Sequence, residues 1–525
     1  MMMKRRLMSL MVGIALLNGC GGSTGAPGSG GSNSTGGASA SGGTTSSGGS
    51  TSSGGSTSSG GTTSSGGATS SGGATSSGGT TSSGGATGSG GATSSGGATS
   101  SGGSTSSGGV TASGGAATGG ATGPGGAGGK ASGSGGSAGG SSGGGASGTT
   151  HWVGTWTASP YLAASDAQPP AALSNSVLRQ IAHVSLGGGQ LRFQFSNTVG
   201  NGAVTIKSAH IAICKASPAV DGTIDTATDK ALAFSGMPSV TIAQGKEVWS
   251  DPVTFTVPAQ GNISITMALG SVPSDLTAHA GSRTTSYQVS NSTDVSAASL
   301  ASPKTTDHWY FITGIDVMAD ASAGGIVAIG DSITDGRGSD TNKNNRWTDV
   351  LAARLQKNAA TANVALMNQG IGATHLAGTE ATAAQARFAR DVLGQSGVKY
   401  VILYDGVNDI HDGTSLATLK SAIMGMISDA HAKGLKIYGA TLTPFGGSSD
   451  YYTAAAEQTR KDLNTFIKSG VFDGVVDFDA AVTDGGNPPK LQATYAAGWQ
   501  MDGLHPGPAG YQKMGESVDL TLFTK

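Results

Sequence analysis

The stretch Gly325-Ile326-Val327-Ala328-Ile329-Gly330-Asp331-Ser332-Ile333-Thr334-Asp335-Gly336 constrains the fold more than any other in the chain. It opens as a short β-branched apolar run, the pattern of a strand buried on both faces of a parallel sheet. Gly330 lets the chain turn sharply. That leaves Ser332 at the carboxyl end of the strand, the edge where open α/β sheets hold their ligands. A serine hydroxyl is a weak nucleophile alone. It needs a base, a group that orients the base, and donors for a developing oxyanion.

Downstream the pattern alternates between strand and helix. Strands are expected at Ile326–Ile329, Val364–Met367, Tyr400–Tyr404, Ile437–Thr441 and Val475–Phe478. The clearest helix carries Leu416, Leu419, Ile423, Met426, Ile427 and Ala430 on one face at helical spacing. Repeated βα units imply a parallel sheet covered on both faces. With flavodoxin-like strand order 2-1-3-4-5, the loops after strands one and three diverge and open a crevice. Ser332 follows strand one, and strand three runs into Asp405-Gly406-Val407-Asn408-Asp409.

Near the C-terminal end lies Asp502-Gly503-Leu504-His505-Pro506. An Asp three residues before a His in a tight turn can accept from the imidazole Nδ1–H, leaving Nε2 to take a serine proton. The Asn408 amide can donate to an oxyanion, together with backbone N–H groups at Ser332 and in the loop after strand two. His375 and His411 fall in loops near the same crevice and are expected to line it. Asp331 is expected to brace the serine turn, and Asp335 and Asp409 their loops.

Gly-Asp-Ser after strand one, Gly-x-Asn-Asp after strand three and Asp-x-x-His near the end resemble the SGNH hydrolases, also called the GDSL esterase/lipase family, from about residue 325 to 525. The resemblance implies a three-layer α/β/α fold and serine-dependent ester hydrolysis without metal or other cofactor. By motif matching, Ser332 corresponds to the nucleophile, Asp502 and His505 to its partners, and Asn408 to the oxyanion amide. One block departs from the family's Asn-x-Gly-Ile-x-Gly, reading Asn368-Gln369-Gly370-Ile371-Gly372-Ala373. Ala373 stands where the last glycine would donate its N–H, a role that survives if its φ is negative. Either Gly372 or Ala373 is then the donor. The chain has no H-E-x-x-H, paired-cysteine zinc pattern or phosphate-binding loop, so metal and nucleotide chemistry find no support.

Before this region, residues 150–320 alternate with period two at Leu191–Phe195, Val204–Ile206, Val253–Val257 and Asn262–Met267. That pattern predicts a β-sandwich-like accessory domain ahead of a catalytic domain at residues 321–525. Trp152, Trp156, Trp249 and Trp309 are expected in cores or at the junction. The opening Trp152-Val153-Gly154-Thr155-Trp156 resembles that of large secreted bacterial members of the family, some grouped with xylan-degradation esterases. That resemblance implies carbohydrate esters. The small polar loops expected to border the crevice, Gly336–Asp340, Asn342–Asn345 and Phe445–Asp450, offer little to bury a long chain against. Short acyl groups, acetyl above all, are therefore expected, an acylated polysaccharide among the substrates. The alternatives are a lipase or acyltransferase of the same fold, or a non-catalytic cell-surface carbohydrate-binding protein.

Residues 1–20 form a targeting segment: Lys4, Arg5 and Arg6, an apolar run too short to span a bilayer, then Leu17-Asn18-Gly19-Cys20. That tetrapeptide resembles the bacterial lipoprotein cleavage box, in which Cys20 would receive lipid. An exported, membrane-anchored protein at the cell surface or outer membrane is expected. The chain has 2 Cys. With Cys20 lipidated no disulfide is expected, and Cys214, in an apolar strand pattern, should be a buried thiol. Residues 21–149 are almost entirely Gly, Ser, Thr and Ala in a loose six-residue repeat such as Thr45-Ser46-Ser47-Gly48-Gly49-Ser50. Such a segment has little apolar surface to offset backbone ordering, which predicts a disordered tether. As a flexible coil of ~130 residues it would span roughly 60 Å. The net charge of -2, with no basic run after residue 20, argues against a nucleic-acid partner.

Overall fold

The computed structural model describes residues 149–214, 222–496 and 501–524, together with the backbone of short strands between Asn33 and Ala112. Residues 142–525 make one compact unit and residues 1–141 another. Cys20 and the targeting segment lie outside the described residues.

Most of the expected tether, residues 21–149, lies outside the described residues; between Asn33 and Ala112 the described backbone holds strands of two or three residues. They pair in parallel at a constant interval: Asn33 faces Thr51, Thr51 faces Thr69 and Thr69 faces Thr87. The six-residue repeat brings equivalent backbone groups into register with one another, so ladder bonds form between them.

The β-rich region contains two antiparallel sheets. One orders β1 (Thr150–Thr157), β7 (Ile312–Asp320), β3 (Gly188–Asn197) and Lys246–Trp249, with Val253–Val257 also on β3. The other runs through β4 (Val204–Ile213), β5 (Asn262–Leu269) and β2 (Ser176–His183) to Ser286–Ser290. Alternate residues of both, among them Phe193, Phe195, Ile315, Ile211, Ile263 and Leu178, enclose one core, the sandwich that period two predicts. A short strand, β6 (Thr277–His279), lies between Tyr161–Leu162 and Trp309–Tyr310. Trp156 and Trp309 pack edge to face in this core, and Trp152 and Trp249 close on the Arg192 guanidinium from 4.7 and 4.3 Å. Cys214 is buried.

A five-stranded parallel sheet follows: β8 (Gly324–Gly330), β9 (Val364–Gly370), β10 (Val398–Tyr404), β11 (Lys436–Ala440) and β12 (Gly474–Val476). Its spatial order, β9-β8-β10-β11-β12, is the 2-1-3-4-5 expected. The last strand stops earlier than its apolar run predicts. Asp477 accepts from Ala480 N and caps a helix, so Phe478 is helical and fully buried. The amphipathic helix spans Leu416–Ala432 behind the cap Ser415 and buries the predicted face.

The expected division between residues 320 and 321 falls in the short link from β7 to β8, yet both sides belong to one compact unit. Val153, Leu186, Val317, Ala323 and Ala365 form a small apolar cluster between them. Across it Gly154 N donates to Ser396 O at 2.9 Å, Thr157 Oγ1 to Asn368 O at 3.1 Å and Leu366 N to Ser185 Oγ at 2.8 Å. Gly154 leaves room there for Met367, whose side chain would have to shift for a Cβ lying 2.3 Å from its sulfur.

Candidate active site

Ser332 opens α1 (Ser332–Asp335), a single turn at the carboxyl end of β8. The turn is tight because Gly330 has no side chain: a Cβ there would sit 2.1 Å from Tyr404 O and 2.4 Å from Thr334 Oγ1. Asp331 caps the turn, its Oδ1 accepting from Ile333 N at 2.8 Å. Asn368 braces it from β9, donating to Thr334 O at 2.7 Å, while its own Oδ1 accepts from Gly370 N at 2.8 Å.

The Ser332 Oγ lies 2.8 Å from His505 Nε2, and His505 Nδ1 lies 2.7 Å from Asp502 Oδ2. The other Asp502 oxygen accepts from Leu504 N at 3.0 Å and His505 N at 2.9 Å, folding the turn that presents the imidazole. Gly503 holds φ +72 there, and a Cβ would strike the Gly447 backbone at 2.2 Å. Burial alone would push the Asp502 carboxyl up, but the bonds from His505 and Leu504 outweigh it and hold the group below the usual carboxylate range.

Asn408 lies in α4 (Val407–His411), after β10, and is buried. Its Nδ2 donates to Thr374 O at 2.7 Å, and its Oδ1 accepts from the Tyr451 hydroxyl at 2.8 Å. These bonds fix both ends of the amide. One Nδ2 hydrogen is left over for a ligand.

The exposed turn Gly372-Ala373 directly precedes Thr374, the acceptor of Asn408, and is joined to β8 through Ile371 N and Gly330 O at 3.0 Å. The condition that Ala373 keep a negative φ is not met: it stands at φ +58, the left-handed geometry that a glycine adopts without strain. The local path of the chain is therefore the one a glycine would take, and the alanine is held in it by its neighbours.

His375 and His411 do not meet Ser332. His375 Nε2 pairs with Asp412 Oδ2 at 2.9 Å, and His411 stacks on Tyr451 with ring centroids 4.3 Å apart. His411 and Tyr451 line an open cavity of about 390 Å³. Asp409 accepts from Leu376 N at 2.7 Å and Ala377 N at 3.0 Å, the expected loop role. Asp335 does more than hold its own loop. His279 of the β-rich region, seated by Ser159 O at 3.0 Å on Nδ1, meets Asp335 Oδ1 at 3.0 Å through Nε2. Burial pushes Asp335 up, and the charges and bonds of His279, with Arg283 and Arg346, bring it below its ordinary value. Sequence patterns carried no sign of Tyr451 or His279, since neither stands in a motif. Among the described residues no group of three or more His, Cys, Asp or Glu side chains could hold a metal ion.

Residues 328–513 match the model of the GDSL-like Lipase/Acylhydrolase family. No curated protein matches the chain. Among solved structures it is similar to a GDSL-like lipase from Bacteroides thetaiotaomicron VPI-5482, with 21% identity over 37% of this chain and 84% of that one and a TM-score of 0.28. A member of the lipolytic protein G-D-S-L family from Veillonella parvula DSM 2008 is 19% identical over 39% of this chain and 100% of its own, with a TM-score of 0.28. The C-terminal part of the chain is a GDSL-like lipase/acylhydrolase domain, a carboxylic ester hydrolase, preceded by an antiparallel β-rich region.

Proposed function

We propose that Ser332, His505 and Asp502 carry out ester hydrolysis as nucleophile, general base and orienting carboxylate, with short acyl groups on a carbohydrate as the substrate. The observation that carries this is the unbroken chain of bonds, 2.8 Å from Ser332 Oγ to His505 Nε2 and 2.7 Å from His505 Nδ1 to Asp502. As Oγ attacks the ester carbonyl, Nε2 takes its proton. The carbonyl oxygen, now negative, accepts from the spare Asn408 Nδ2 hydrogen and from backbone N–H groups at Ser332 and the Gly372-Ala373 turn. Collapse expels the alcohol, which leaves with the proton from Nε2, and an acyl-serine remains. Water repeats the sequence and releases the acid.

A carbohydrate alcohol is supported by the open cavity lined by Tyr451, the residue whose hydroxyl bonds Asn408. Ser415, Thr453 and Thr459 offer hydroxyls there beside His411 and Tyr451, and the larger aliphatic side chains are Ile410 and Leu416. Each methylene of a long acyl chain gains about 0.8 kcal/mol only where it is buried, and this lining buries few. The chain is further proposed to be exported and anchored through lipid on Cys20, from its lipoprotein-like N-terminus.

Ser332→Ala should abolish hydrolysis and fluorophosphonate labelling while the protein stays folded; labelling that persists would remove Ser332 from the role. Aryl esters from acetyl to dodecanoyl, assayed beside acetylated xylan, test the substrate. A kcat/KM that climbs with chain length, with no acetate released from the polysaccharide, would make the enzyme a lipase instead.

A further inference from the structure

Behind Ser332, two aspartates follow partnered residues at the ends of neighbouring strands. Gly330 and Tyr404 are partners in the parallel ladder of β8 and β10, and Asp331 and Asp405 are the next residue on each. They are 1% and 3% exposed. One oxygen of each has a donor: Asp331 Oδ1 takes Ile333 N at 2.8 Å, and Asp405 Oδ1 takes Gly406 N at 2.8 Å. The second oxygen of each is buried with no hydrogen-bond partner among the described residues. A buried acceptor without a donor is costly, and two ionised carboxylates in register would also repel each other. A carboxylate can only accept, whereas a carboxylic acid can donate. A proton retained on one of the two carboxyls removes the repulsion and turns one acceptor into a donor.

We propose that Asp331 and Asp405 share a single proton, and that this acid–carboxylate bond ties the nucleophile turn to the oxyanion loop. Each end is attached to working geometry. Asp331 caps the turn that carries Ser332, and Asp405 leads through Gly406, at φ +123, into Asn408. Both are positioning residues: neither touches substrate, and both act through the groups that do.

The surroundings favour the shared proton. Asp335 on α1, Asp409 on α4, Arg387, Tyr404, Tyr451 and Tyr511 are the charged and titratable groups around Asp331. Arg387 is the cation among them. Its guanidinium already pairs with Asp391 at 3.1 Å and donates to Gly330 O at 3.0 Å, so it cannot neutralise two further carboxylates. Burial first, then the neighbouring carboxylates, push both Asp331 and Asp405 up from the ordinary value.

The test uses the full chain with Asp405→Asn and Asp405→Ala. A carboxyl raised in the folded state holds a proton that the unfolded chain has released above about pH 3.9. Wild-type stability from this pair should therefore be full below that value and fall as pH rises through the raised folded value. The amide of Asp405→Asn donates to Asp331 without a titrating proton, so its Tm should lose that part of the pH dependence. Infrared spectra of the wild type near neutral pH should contain the carbonyl stretch of a buried carboxylic acid, absent from Asp405→Asn. Asp405→Ala should lose about tenfold or more in kcat with KM little changed, and Asp405→Asn should recover most of it. A Tm profile in Asp405→Asn parallel to the wild type, or no acid carbonyl in the wild-type spectrum, would overturn the proposal. Only the kinetic arm rests on the catalytic role of Ser332; melting and infrared decide the shared proton even if that role fails or Asp405→Ala does not fold.

Discussion

Tyr451 fixes how the Asn408 amide, the proposed oxyanion donor, is aimed. Its hydroxyl donates to Asn408 Oδ1 while Thr374 O takes one amide hydrogen, so the other hydrogen has a single direction. Tyr451→Phe removes the donor and leaves a buried amide oxygen unsatisfied. A bond of this kind contributes about 1–1.5 kcal/mol, or roughly five- to tenfold in rate. The loss should fall on kcat, because the amide is needed most when charge develops. A change confined to KM would make Tyr451 a substrate-binding side chain instead. Ala373 offers an independent check on the neighbouring turn. A left-handed alanine costs about 1–2 kcal/mol, and glycine gives back about 0.5–1 kcal/mol through its freer unfolded state. Ala373→Gly should therefore stabilise the protein by about 0.5–1 kcal/mol in urea titrations with activity retained. Destabilisation would mean that the alanine methyl makes contacts outweighing its strain. Ser332, Asn408, Asp502 and His505 could be singled out because each stands in a short motif, and the sheet order then brings Ser332 and His505 together across 173 residues. The Tyr451–Asn408 pair spans 43 residues and the His279–Asp335 pair 56, and neither follows from periodicity or spacing. The φ of Ala373 was open for the same reason, being set by packing around the turn.

At the scale of elements, the β-rich region braces the nucleophile helix. His279, the last residue of β6, reaches across to Asp335 at the end of α1, where both side chains are buried. Removing one member of a buried pair leaves the other uncompensated, at about 3–5 kcal/mol, so His279→Ala should lower stability by that order at neutral pH. The sign of the pH effect follows from Asp335, whose carboxyl is held below its ordinary value. Stability from a depressed carboxyl is present above the unfolded value, about 3.9, and is lost as pH falls through the folded one. The difference between wild type and His279→Ala should therefore shrink in acid. Thermal melts of the two proteins at descending pH check this, and a constant gap would show that His279 acts by packing alone. The strands of the parallel sheet were legible from their β-branched runs, and so was the order that puts Ser332 and Asn408 on one edge. The end of β12 was not, because Phe478 is as apolar as a strand residue while Asp477 caps a helix in front of it.

For the whole molecule, the proposed anchor is separable from the enzyme. No helix among the described residues is long and apolar enough to cross a membrane. Cys20→Ser should shift the full chain from the membrane to the soluble fraction with its esterase activity unchanged, since lipid is the attachment proposed. Retention in the membrane fraction would contradict a lipid on Cys20. One feature of the compact unit bears on how the chain matures. Its first strand, Thr150–Thr157, pairs with Ile312–Asp320 and is fastened by Gly154 and Thr157 to residues beyond 360. A chain emerging from its N-terminal end thus presents this strand long before either partner exists. It must wait as an unpaired edge, and closing so long a loop makes folding slow. The fold can therefore close only after Ile312–Asp320 has emerged, and a chain cut short before it leaves the strand of Trp152 and Trp156 without its partner.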